Sequence, residues 1–590
     1  MKGFFNRLLR VDLTRRRFQY EGLSDETLAR TLGGKGLGSH LLTEENPPGV
    51  DPLSPENRFI LAVGPATGTT LWSQSRFAAF SKSPATGGFA ESYCGGTLAL
   101  QLKGCGVDAV ILEGRCDALT FLVIAESGVS FLDAAAFAGV DTARTEEALL
   151  RLSPLGARAM TIGPAGERHV RFACIKSDRW RSLGRCGLGA VLGAKNVKGI
   201  SFSGRARAEV ADAGLLRECT QRIARAGRES PTTALYRKYG TPLQVAVTNA
   251  HQCFPTRYWQ SGRFAKWEDL SGDALLERFE VKPHPCPNCF LACTKFTRVK
   301  SGRHQGLEIE GPEYETIYAL GGLNEVDSLE EVAYLNDVCD KLGLDTMSAG
   351  NVAGFAVEAH RRGKIRFAID YNQPDRMAEL FRLIAAGKDE GALFALGIKR
   401  AAEELGLADL AVHVKGLEPA GFEPRALKGM ALSYATAARG ACHLRGTFYK
   451  AELAGLIPKD RVEGKAALHI DFEDRAALFD SLVLCRFFRD IILWDELRMI
   501  VAATTGLAMD REGLAWLANA TTERTRAFNR REGLTPDDDW LPARFFEEKT
   551  AEGESLSRAD LRRMIDDYNA IRRSRLAQPP PGLGVPPPAR

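Results

Sequence analysis

The sequence predicts an α+β protein in which a strand-rich N-terminal domain precedes two mainly α-helical domains. In the first third of the chain, short apolar runs bounded by Gly, Pro and Asp are typical of buried strands. Later segments carry apolar residues at helical spacing, together with residues that cap helices. A chain of 590 residues is too long for one hydrophobic core. We therefore predict domains at residues 1–208, 209–415 and 416–577, followed by a tail at 578–590.

Strands in the first domain are predicted at residues 11–13, 59–63, 76–82, 109–112 and 121–124. Glycine clusters at residues 33–38, 94–96 and 184–189 lie between them. Ordinary turns explain any one cluster, but repeated clusters let backbone amides approach a large anionic ligand closely. None of them matches the phosphate-binding pattern that ends in Gly-Lys-Ser/Thr, and residues 187–193 miss the dinucleotide fingerprint by one residue. An ATP or nicotinamide enzyme is therefore disfavoured.

Helices in the second domain are predicted at residues 215–226, 329–342, 349–361 and 377–386. Ser328 is suited to cap the second of these helices, Gly343 to end it, and Asp345 to cap the third. In the third domain, residues 476–492 form the most apolar segment. The thirteen-residue tail contains six prolines, a composition that predicts disorder.

Composition and charge exclude several classes of function. Lys and Arg number 78 against 74 Asp and Glu, so charge predicts neither a nucleic-acid partner nor a membrane surface. No apolar run approaches the roughly 18 residues that a membrane span requires. Thirteen cysteines are too few, and odd in number, for a disulfide framework. Residues 14–18 resemble a twin-arginine export signal, but acidic residues follow where an apolar segment is needed. We therefore predict a cytoplasmic protein.

Cys286, Cys289 and Cys293 form the strongest metal-binding pattern in the chain. Two and then three residues separate them, and Pro283 and Pro285 disfavour a helix just before them. Three soft sulfur ligands on one loop indicate a metal site that needs a fourth ligand. Spacing alone leaves three possibilities open: zinc, a radical-generating cluster, or an electron-transfer iron–sulfur cluster.

Two predicted helix ends share a pattern. Segments 340–345 and 480–485 each begin with Asp, carry Leu four residues later, and end in a polar or sulfur-bearing residue. A carboxylate at the edge of such a loop can accept hydrogen bonds from a heterocyclic amine. Each loop taken alone is explained as a helix stop with a capping residue. The recurrence favours a pair of ligand-binding loops.

From about residue 11 to about residue 570, the chain resembles the aldehyde:ferredoxin oxidoreductase family of tungsten and molybdenum pterin enzymes. Many sequence blocks occur in the family's order, which makes the match specific. The blocks are residues 11–14, 32–38, 48–57, 64–68, 187–196, 286–293, 311–316, 439–445 and 480–485.

The resemblance implies that Cys286, Cys289, Cys293 and Cys485 hold one [4Fe–4S] cluster. Radical-generating enzymes space their cysteines in the reverse order, and the family match disfavours structural zinc. The resemblance also implies a tungsten or molybdenum centre held by two pterins at the interface of the domains, with no protein side chain required as a ligand of that metal.

The paired aspartate loops are the implied pterin-binding loops. Arg76 and Arg185 match family arginines near the pterin phosphates, where a guanidinium suits phosphate oxygens. The backbone carbonyl of Tyr93 matches a position that contacts Mg²⁺ bridging these phosphates. Val483 stands where the second loop usually has glycine, so we expect that loop to be slightly rearranged. The implied cofactor-binding residues are Arg76, Tyr93, Gly95, Gly96, Arg185, Cys186, Gly187, Asp340, Gly343, Leu344, Asp345, Asp480 and Leu484.

The family's activity implies oxidation of an aldehyde by water to a carboxylic acid, with electrons passing through the cluster to ferredoxin or a partner subunit. Glu313 is the expected general base. Glu310 and Glu315 are the alternatives, because spacing cannot tell which carboxylate faces the metal. His443 is expected to hydrogen bond to the aldehyde oxygen or to shuttle a proton.

Two other functions stay open at this point. The family also includes the metal-bearing subunit of a benzoyl-coenzyme A reductase, which would need a coenzyme A groove and partner subunits. The third hypothesis is a non-enzymatic iron–sulfur electron-relay subunit. It is slightly favoured by Val483 and by Tyr93, which stands where the family often has asparagine, but the retained arginines and loop aspartates weigh against it. The preferred aldehyde, the choice between tungsten and molybdenum, and a homodimeric or hetero-oligomeric state are not determined by the sequence.

Overall fold

The computed structural model describes residues 1–577, and the predicted tail at 578–590 lies outside the described residues. The N-terminal part of the chain contains twelve strands in two six-stranded sheets. The strands are β1 (Arg7–Asp12), β2 (Arg17–Gly22), β3 (Phe59–Ala62), β4 (Arg76–Lys82), β5 (Phe89–Gly95), β6 (Ala109–Glu113), β7 (Thr120–Ala125), β8 (Gly128–Asp133), β9 (Arg158–Ile162), β10 (Ile175–Ser177), β11 (Arg181–Leu183) and β12 (Val197–Ser203).

The strand order is β2-β1-β6-β3-β4-β5 in the first sheet and β11-β10-β9-β12-β7-β8 in the second. One neighbouring pair is parallel in each sheet, β1 with β6 and β7 with β12. All four residues of β3 are buried, as expected for a central strand that reads as a continuous apolar run. The antiparallel register of β4 and β5 places Arg76 opposite Gly95 and Ala78 opposite Tyr93. Two predicted cofactor-binding positions therefore meet at one edge of the first sheet.

Helices occupy most of the remaining chain. The N-terminal part contributes α1 (Asp25–Thr31), α2 (Gly34–Glu45), α3 (Leu98–Gly104), α4 (Thr142–Arg151), α5 (Pro164–Glu167) and α6 (Leu188–Ala194). The helical part contains α7 (Ala213–Glu229), α8 (Pro231–Tyr239), α9 (Leu243–Ala250), α10 (Gly272–Arg278), α11 (Tyr314–Thr316), α12 (Leu329–Leu342), α13 (Thr346–Arg361), α14 (Pro374–Ala386), α15 (Asp389–Phe394), α16 (Ile398–Leu405), α17 (Lys428–Thr436), α18 (Tyr449–Leu453), α19 (Lys465–Ser481), α20 (Trp494–Thr505), α21 (Arg511–Arg531), α22 (Arg544–Glu547) and α23 (Arg558–Leu576).

A small three-stranded sheet interrupts the helical part. It consists of β13 (Phe279–Pro283), β14 (Lys295–Val299) and β15 (Glu308–Glu310), all antiparallel. Pro283 pairs with Lys295, so residues 284–294 form the loop of a β-hairpin. Sequence reasoning placed the three-cysteine loop in helical surroundings, whereas a hairpin presents it.

Within residues 1–577, five buried apolar clusters stabilise the fold, and three of them bear on the site. One lies mainly between the helices from α9 onward, and another lies between the two N-terminal sheets. The third joins α7, α19, α20 and α21 to the residues around the cysteine loop. Burial of each large apolar side chain stabilises the folded state by roughly 1.5–3 kcal/mol relative to its exposure to water. Among the described residues, no helix is long and apolar enough to cross a membrane.

The predicted fold class is confirmed, with strands concentrated before residue 204 and helices after it. The helix predicted at 329–342 has those bounds, with Ser328 as its N-cap and Gly343 as its left-handed C-cap. The apolar segment at 476–492 is only partly helical, because α19 ends at Ser481 and a turn follows. The division of the helical part at about residue 415 stays a prediction.

Candidate active site around a four-cysteine cavity

Four cysteines from distant parts of the chain line one cavity of about 260 Å³. Cys286, Cys289 and Cys293 lie on the hairpin loop between β13 and β14, and Cys485 lies just after α19. All four side chains are half-buried. The structure thus brings the three-cysteine loop together with the cysteine that sequence comparison suggested as its fourth partner.

The cavity fits a group held by several thiolates. Burial, followed by repulsion from neighbouring cysteines, raises the pKa of Cys289 to about 11 and that of Cys293 well above its ordinary value. These thiols would ionise only around a cationic group, because metal ligation requires the thiolate. In the described part of the chain, no three His, Cys, Asp or Glu side chains are arranged to hold one metal ion. Four thiols spread around a cavity are the donor set of a [4Fe–4S] cluster.

The N-terminal sheet positions the fourth cysteine. The backbone N–H of Cys485 donates a hydrogen bond to the carbonyl of Ser73 at 3.0 Å. Nη1 of Arg76 lies 3.9 Å from Sγ of Cys485, and Nη2 of Arg76 donates to the carbonyl of Tyr93 at 3.2 Å. One guanidinium therefore links the four-cysteine cavity to the carbonyl that the family resemblance assigns to Mg²⁺.

Two glycines at the end of β5 allow the sheet to approach the cysteine loop. A Cβ added at Gly95 would lie 3.2 Å from Sγ of Cys286. A Cβ added at Gly96 would lie 2.2 Å from a carboxylate oxygen of Asp178, and Gly96 has a φ of +111°. A side chain at Gly95 would crowd the thiol of Cys286, and a side chain at Gly96 would clash with Asp178 at a φ that L-residues rarely adopt. Gly95 and Gly96, which we expected to bind the cofactor, therefore allow close packing between protein segments beside the cavity.

The first aspartate loop, residues 340–345, docks on the second N-terminal sheet. The N–H of Asp345 donates to the carbonyl of Phe172 at 3.1 Å, and the N–H of Cys174 donates to the carbonyl of Gly343 at 2.8 Å. Leu344 forms a β-bridge to the same segment and is buried. The conformation of this loop is thus held by both domains.

The second aspartate loop, residues 480–485, docks on α2. The N–H of Gly36 donates to the hydroxyl of Ser481 at 3.2 Å, and Leu484 is buried. Val483 has a φ of +55°, so it adopts the left-handed conformation that suits glycine. A Cβ at Gly34 would lie 2.5 Å from Cγ2 of Val483, so the missing side chain of Gly34 makes room for the valine. The slight rearrangement that we expected of this loop stays a prediction.

Cations missed by sequence reasoning pair with both loop aspartates. Asp340 accepts a hydrogen bond from Nζ of Lys176 at 2.6 Å. Asp480 accepts from Nη1 of Arg445 at 2.6 Å and from Nε of Arg486 at 3.0 Å. Arg445 lies in a matched family block and Arg486 follows the predicted ligand Cys485, so their positions in the sequence could have indicated a role at the site. The position of Lys176 in the sequence gave no such indication, because only the docking of the two domains brings it to Asp340.

Buried polar atoms near the second aspartate loop indicate a polar ligand. Oγ of Ser73 and the Nε atoms of Arg439 and Arg445 are buried and make no hydrogen bond to any residue in 1–577. Buried polar atoms are otherwise nearly always paired. A pterin would supply amino groups for the two carboxylates and phosphates for the arginines, so the residues present fit such a cofactor.

Arg185 contacts protein oxygens on two segments. Its Nε donates to Asp345 at 2.9 Å, and its Nη1 donates to the carbonyl of Glu418 at 2.8 Å. The neighbouring Cys186 is buried, and Gly187 has a φ of +71°. Arg185 therefore connects the first aspartate loop to Glu418. Its assignment to a pterin phosphate stays a prediction.

Glu310 and Glu313 lie beside the cysteines. Both line the four-cysteine cavity. Glu310 forms an ion pair with Arg181 at 2.6 Å, and burial raises the pKa of Glu313. The charge of Glu313 also contributes to the raised pKa of Cys293. The carboxylate that we first expected to be the general base is thus a neighbour of the cysteines.

Glu315 is the carboxylate that faces His443. Oε1 of Glu315 lies 3.4 Å from Nε2 of His443, and the N–H of Gly421 donates to Oε2 at 2.9 Å. Burial raises the pKa of Glu315 to about 8. Burial, together with surrounding arginines, lowers the pKa of His443 well below its ordinary value. The ring of Phe422 lies 5.9 Å from His443 and stacks on Tyr449. A carboxyl group that ionises near pH 8 and a neutral imidazole thus meet beside aromatic rings.

Family models match nearly the whole chain. The model of the aldehyde ferredoxin oxidoreductase N-terminal domain matches residues 8–204, and the model of its domains 2 and 3 matches residues 218–573. The chain belongs to the aldehyde ferredoxin oxidoreductase family. It is therefore an oxidoreductase, and the family implies a tungsten–pterin cofactor. The resemblance seen in the sequence blocks is confirmed.

Curated relatives in this family span the same length. The tungsten-containing aldehyde ferredoxin oxidoreductase of Pyrococcus furiosus is 32% identical over 587 residues, and that of Pyrococcus abyssi is 33% identical over 589 residues. Each match covers 97% of this chain and 96% of the relative. The WOR-like subunit of an aliphatic sulfonate oxidoreductase from Pyrococcus furiosus is 28% identical and covers 82% of this chain and 80% of that protein.

A solved structure shares the fold. It is the active-site complex BamBC of benzoyl-coenzyme A reductase with 1,5-dienoyl-coenzyme A, with a TM-score of 0.84 and 22% identity. The match covers 97% of this chain and 94% of that chain. At this identity the similarity establishes the architecture alone.

Proposed function

We propose that the protein oxidises aldehydes to carboxylic acids, with water as the source of the added oxygen. The observation that carries the proposal is the half-buried Glu315–His443 pair beside the ring of Phe422. A carboxyl group and an imidazole with shifted pKa values can move protons next to an apolar substrate. Similarity to tungsten-containing aldehyde oxidoreductases supports the same chemistry.

The proposed cofactors are a [4Fe–4S] cluster and a tungsten or molybdenum centre with two pterins. The four cavity cysteines would hold the cluster, and the loops at 340–345 and 480–485 would bind the pterins. Arg76 would neutralise pterin phosphate charge, and the carbonyl of Tyr93 would contact a bridging Mg²⁺. When bound, the metal–pterin centre would accept two electrons from the substrate, and the cluster would pass them on.

Proton handling follows from the two facing side chains. Each oxidation takes an aldehyde and a water to a carboxylic acid, and releases two protons and two electrons. Ionised Glu315 would accept a proton from the water, while a hydrogen bond from Gly421 holds its second oxygen in place. Neutral His443 would donate a ring N–H to the aldehyde oxygen. We therefore transfer the role first expected of Glu313 to Glu315, because Glu313 lies among the cysteines.

Electrons would leave through the four-cysteine cavity to ferredoxin or to a partner subunit. Arg76 supports this route, because its guanidinium lies against Cys485 and against the carbonyl of Tyr93. Its positive charge would stabilise the reduced form of a cluster. The half-buried cysteine loop would leave only a short distance between the cluster and a partner at the surface.

Metal content and substrate tests would decide the proposal. Protein purified without oxygen should contain iron with tungsten or molybdenum, release pterin on acid extraction, and reduce a dye with aliphatic or aromatic aldehydes. Turnover of benzoyl-coenzyme A without aldehyde oxidation would assign the chain to aromatic-ring reduction. Iron without pterin would assign it to electron relay. Zinc as the only metal would refute all three functions: aldehyde oxidation, aromatic-ring reduction and electron relay.

A further inference from the structure

The helices beside the cysteine loop carry a strongly basic surface. Between residues 217 and 238 the sequence has six Lys or Arg against two Glu, a net charge of +4 in 22 residues. The whole chain of 590 residues also has a net charge of +4. All eight charged side chains are exposed. The basic residues, which we call the basic face, are Arg217, Arg222, Arg225, Arg228, Arg237 and Lys238.

The basic face directly adjoins the cysteine loop. The ring of Phe290 packs on Gly227, where an added Cβ would lie 2.3 Å from the ring. Arg225 and Arg228 therefore flank a point of contact with the loop. At the end of α8, a Cβ at Gly240 would lie 2.5 Å from the carbonyl of Cys293. Cations thus lie beside the loop on both α7 and α8.

Most of these cations have no acidic partner within the chain. Arg222 pairs with Glu496 at 2.6 Å. Arg225, Arg228 and Arg237 take part in no ion pair among residues 1–577. Unpaired exposed cations of one sign create a positive potential that attracts an acidic partner over about a Debye length.

Apolar side chains lie between the cations. Leu235 is 46% exposed. Phe290 and Phe487 are half-buried at the edge of the cavity region, and the ring of Phe487 lies 5.1 Å from that of Tyr236. A small apolar centre with a charged rim is the usual composition of a protein–protein interface.

We propose that the basic face is the docking surface for a small acidic iron–sulfur protein that accepts electrons from the cluster. The proposal rests on the proposed cluster in the four-cysteine cavity. In each encounter one electron leaves the reduced cluster and one oxidised carrier is reduced, so two encounters complete one aldehyde oxidation. No bond changes and no proton moves in this step. Opposite charges speed the encounter without requiring tight binding, which suits repeated exchange of carriers.

Charge reversal tests the surface. The test variant carries Arg225→Glu, Arg228→Glu and Arg237→Glu. A control variant with Arg366→Glu, Lys399→Glu and Arg400→Glu has the same change in net charge at exposed positions. Two of these control positions lie on α16, whose buried face belongs to a different hydrophobic core. Binding of a purified acidic ferredoxin is measured by titration calorimetry at low and high salt, and cluster reoxidation by the same ferredoxin is followed by stopped flow after dithionite reduction.

The test variant should bind the ferredoxin at least tenfold more weakly than wild type at low salt, with a smaller salt dependence. The control variant should match wild type, and oxidation of the cluster by a small dye should be equal in all three proteins. Equal ferredoxin affinity in test variant and wild type, or no binding by wild type, would overturn the proposal. Dye-linked aldehyde oxidation needs no docked protein, so its absence would refute the proposed function separately.

Discussion

Replacing Glu315 by Gln should remove an alkaline rise in aldehyde oxidation. Burial raises the pKa of Glu315 to about 8. About one-tenth of these carboxyl groups are then ionised at pH 7 and about nine-tenths at pH 9. If the ionised form accepts the proton, kcat/KM of the wild type increases roughly tenfold between these values. Gln cannot accept a proton, so E315Q should lose this slope and roughly 10²–10⁴-fold of the activity.

The assay is the initial rate of dye-linked aldehyde oxidation across neutral and alkaline pH. Glu313→Gln is the matched control, because it makes the same change in a half-buried carboxylate that lines the cysteine cavity. E313Q should keep the alkaline rise. The reasoning is refuted if E315Q keeps the rise, or if E313Q alone loses it. Tungsten, molybdenum and iron contents, measured in both variants, distinguish a lost proton acceptor from a lost cofactor.

Three further substitutions test other parts of the site. His443→Ala should retain metal and iron but lose most turnover, because the imidazole faces the proposed base; unchanged turnover would remove His443 from the mechanism. Cys485→Ser should lower the iron content measured by elemental analysis, whereas Cys339→Ser, at a buried thiol outside the cavity, should not. Equal iron in both would show that the fourth ligand is misassigned. Gly64→Ala should lower the free energy of unfolding by roughly 1–3 kcal/mol, and with it the thermal midpoint, because its Cβ would lie 2.1 Å from a backbone oxygen of the second aspartate loop. Gly22→Ala is its control, since its Cβ would meet no atom within 4 Å, and equal midpoints would contradict the prediction.

Local signals predicted many elements correctly. The helix at 329–342 was predicted at its observed bounds, because Ser328 and Gly343 supply capping interactions that depend on a few neighbouring residues. The strand at 76–82 also has its predicted bounds. The hairpin around the cysteine loop was missed, because two prolines and three cysteines interrupt the strand pattern there. β13 pairs directly with β14, and β15 pairs with the other edge of β14.

Local sequence patterns could not predict contacts between segments that are distant in the chain. Lys176 meets Asp340 across 164 positions, and Arg445 meets Asp480 across 35. Val483 has a left-handed backbone, and Gly34, far away in the chain, leaves room for its side chain. None of these pairs leaves a periodic pattern in the sequence.

The sequence by itself determined the fold class, the family and the chemical types of the site: four thiols, paired aspartates, three neighbouring glutamates and a histidine. These follow from residue identity, spacing and the order of sequence blocks. Only the tertiary structure decided how the glutamates divide between two places. Glu310 and Glu313 lie at the cysteine cavity, and Glu315 turns towards His443. The physical reason is that the side chains of neighbouring residues point in different directions where β15 leads into α11. What each carboxylate faces is set by segments far away in the chain.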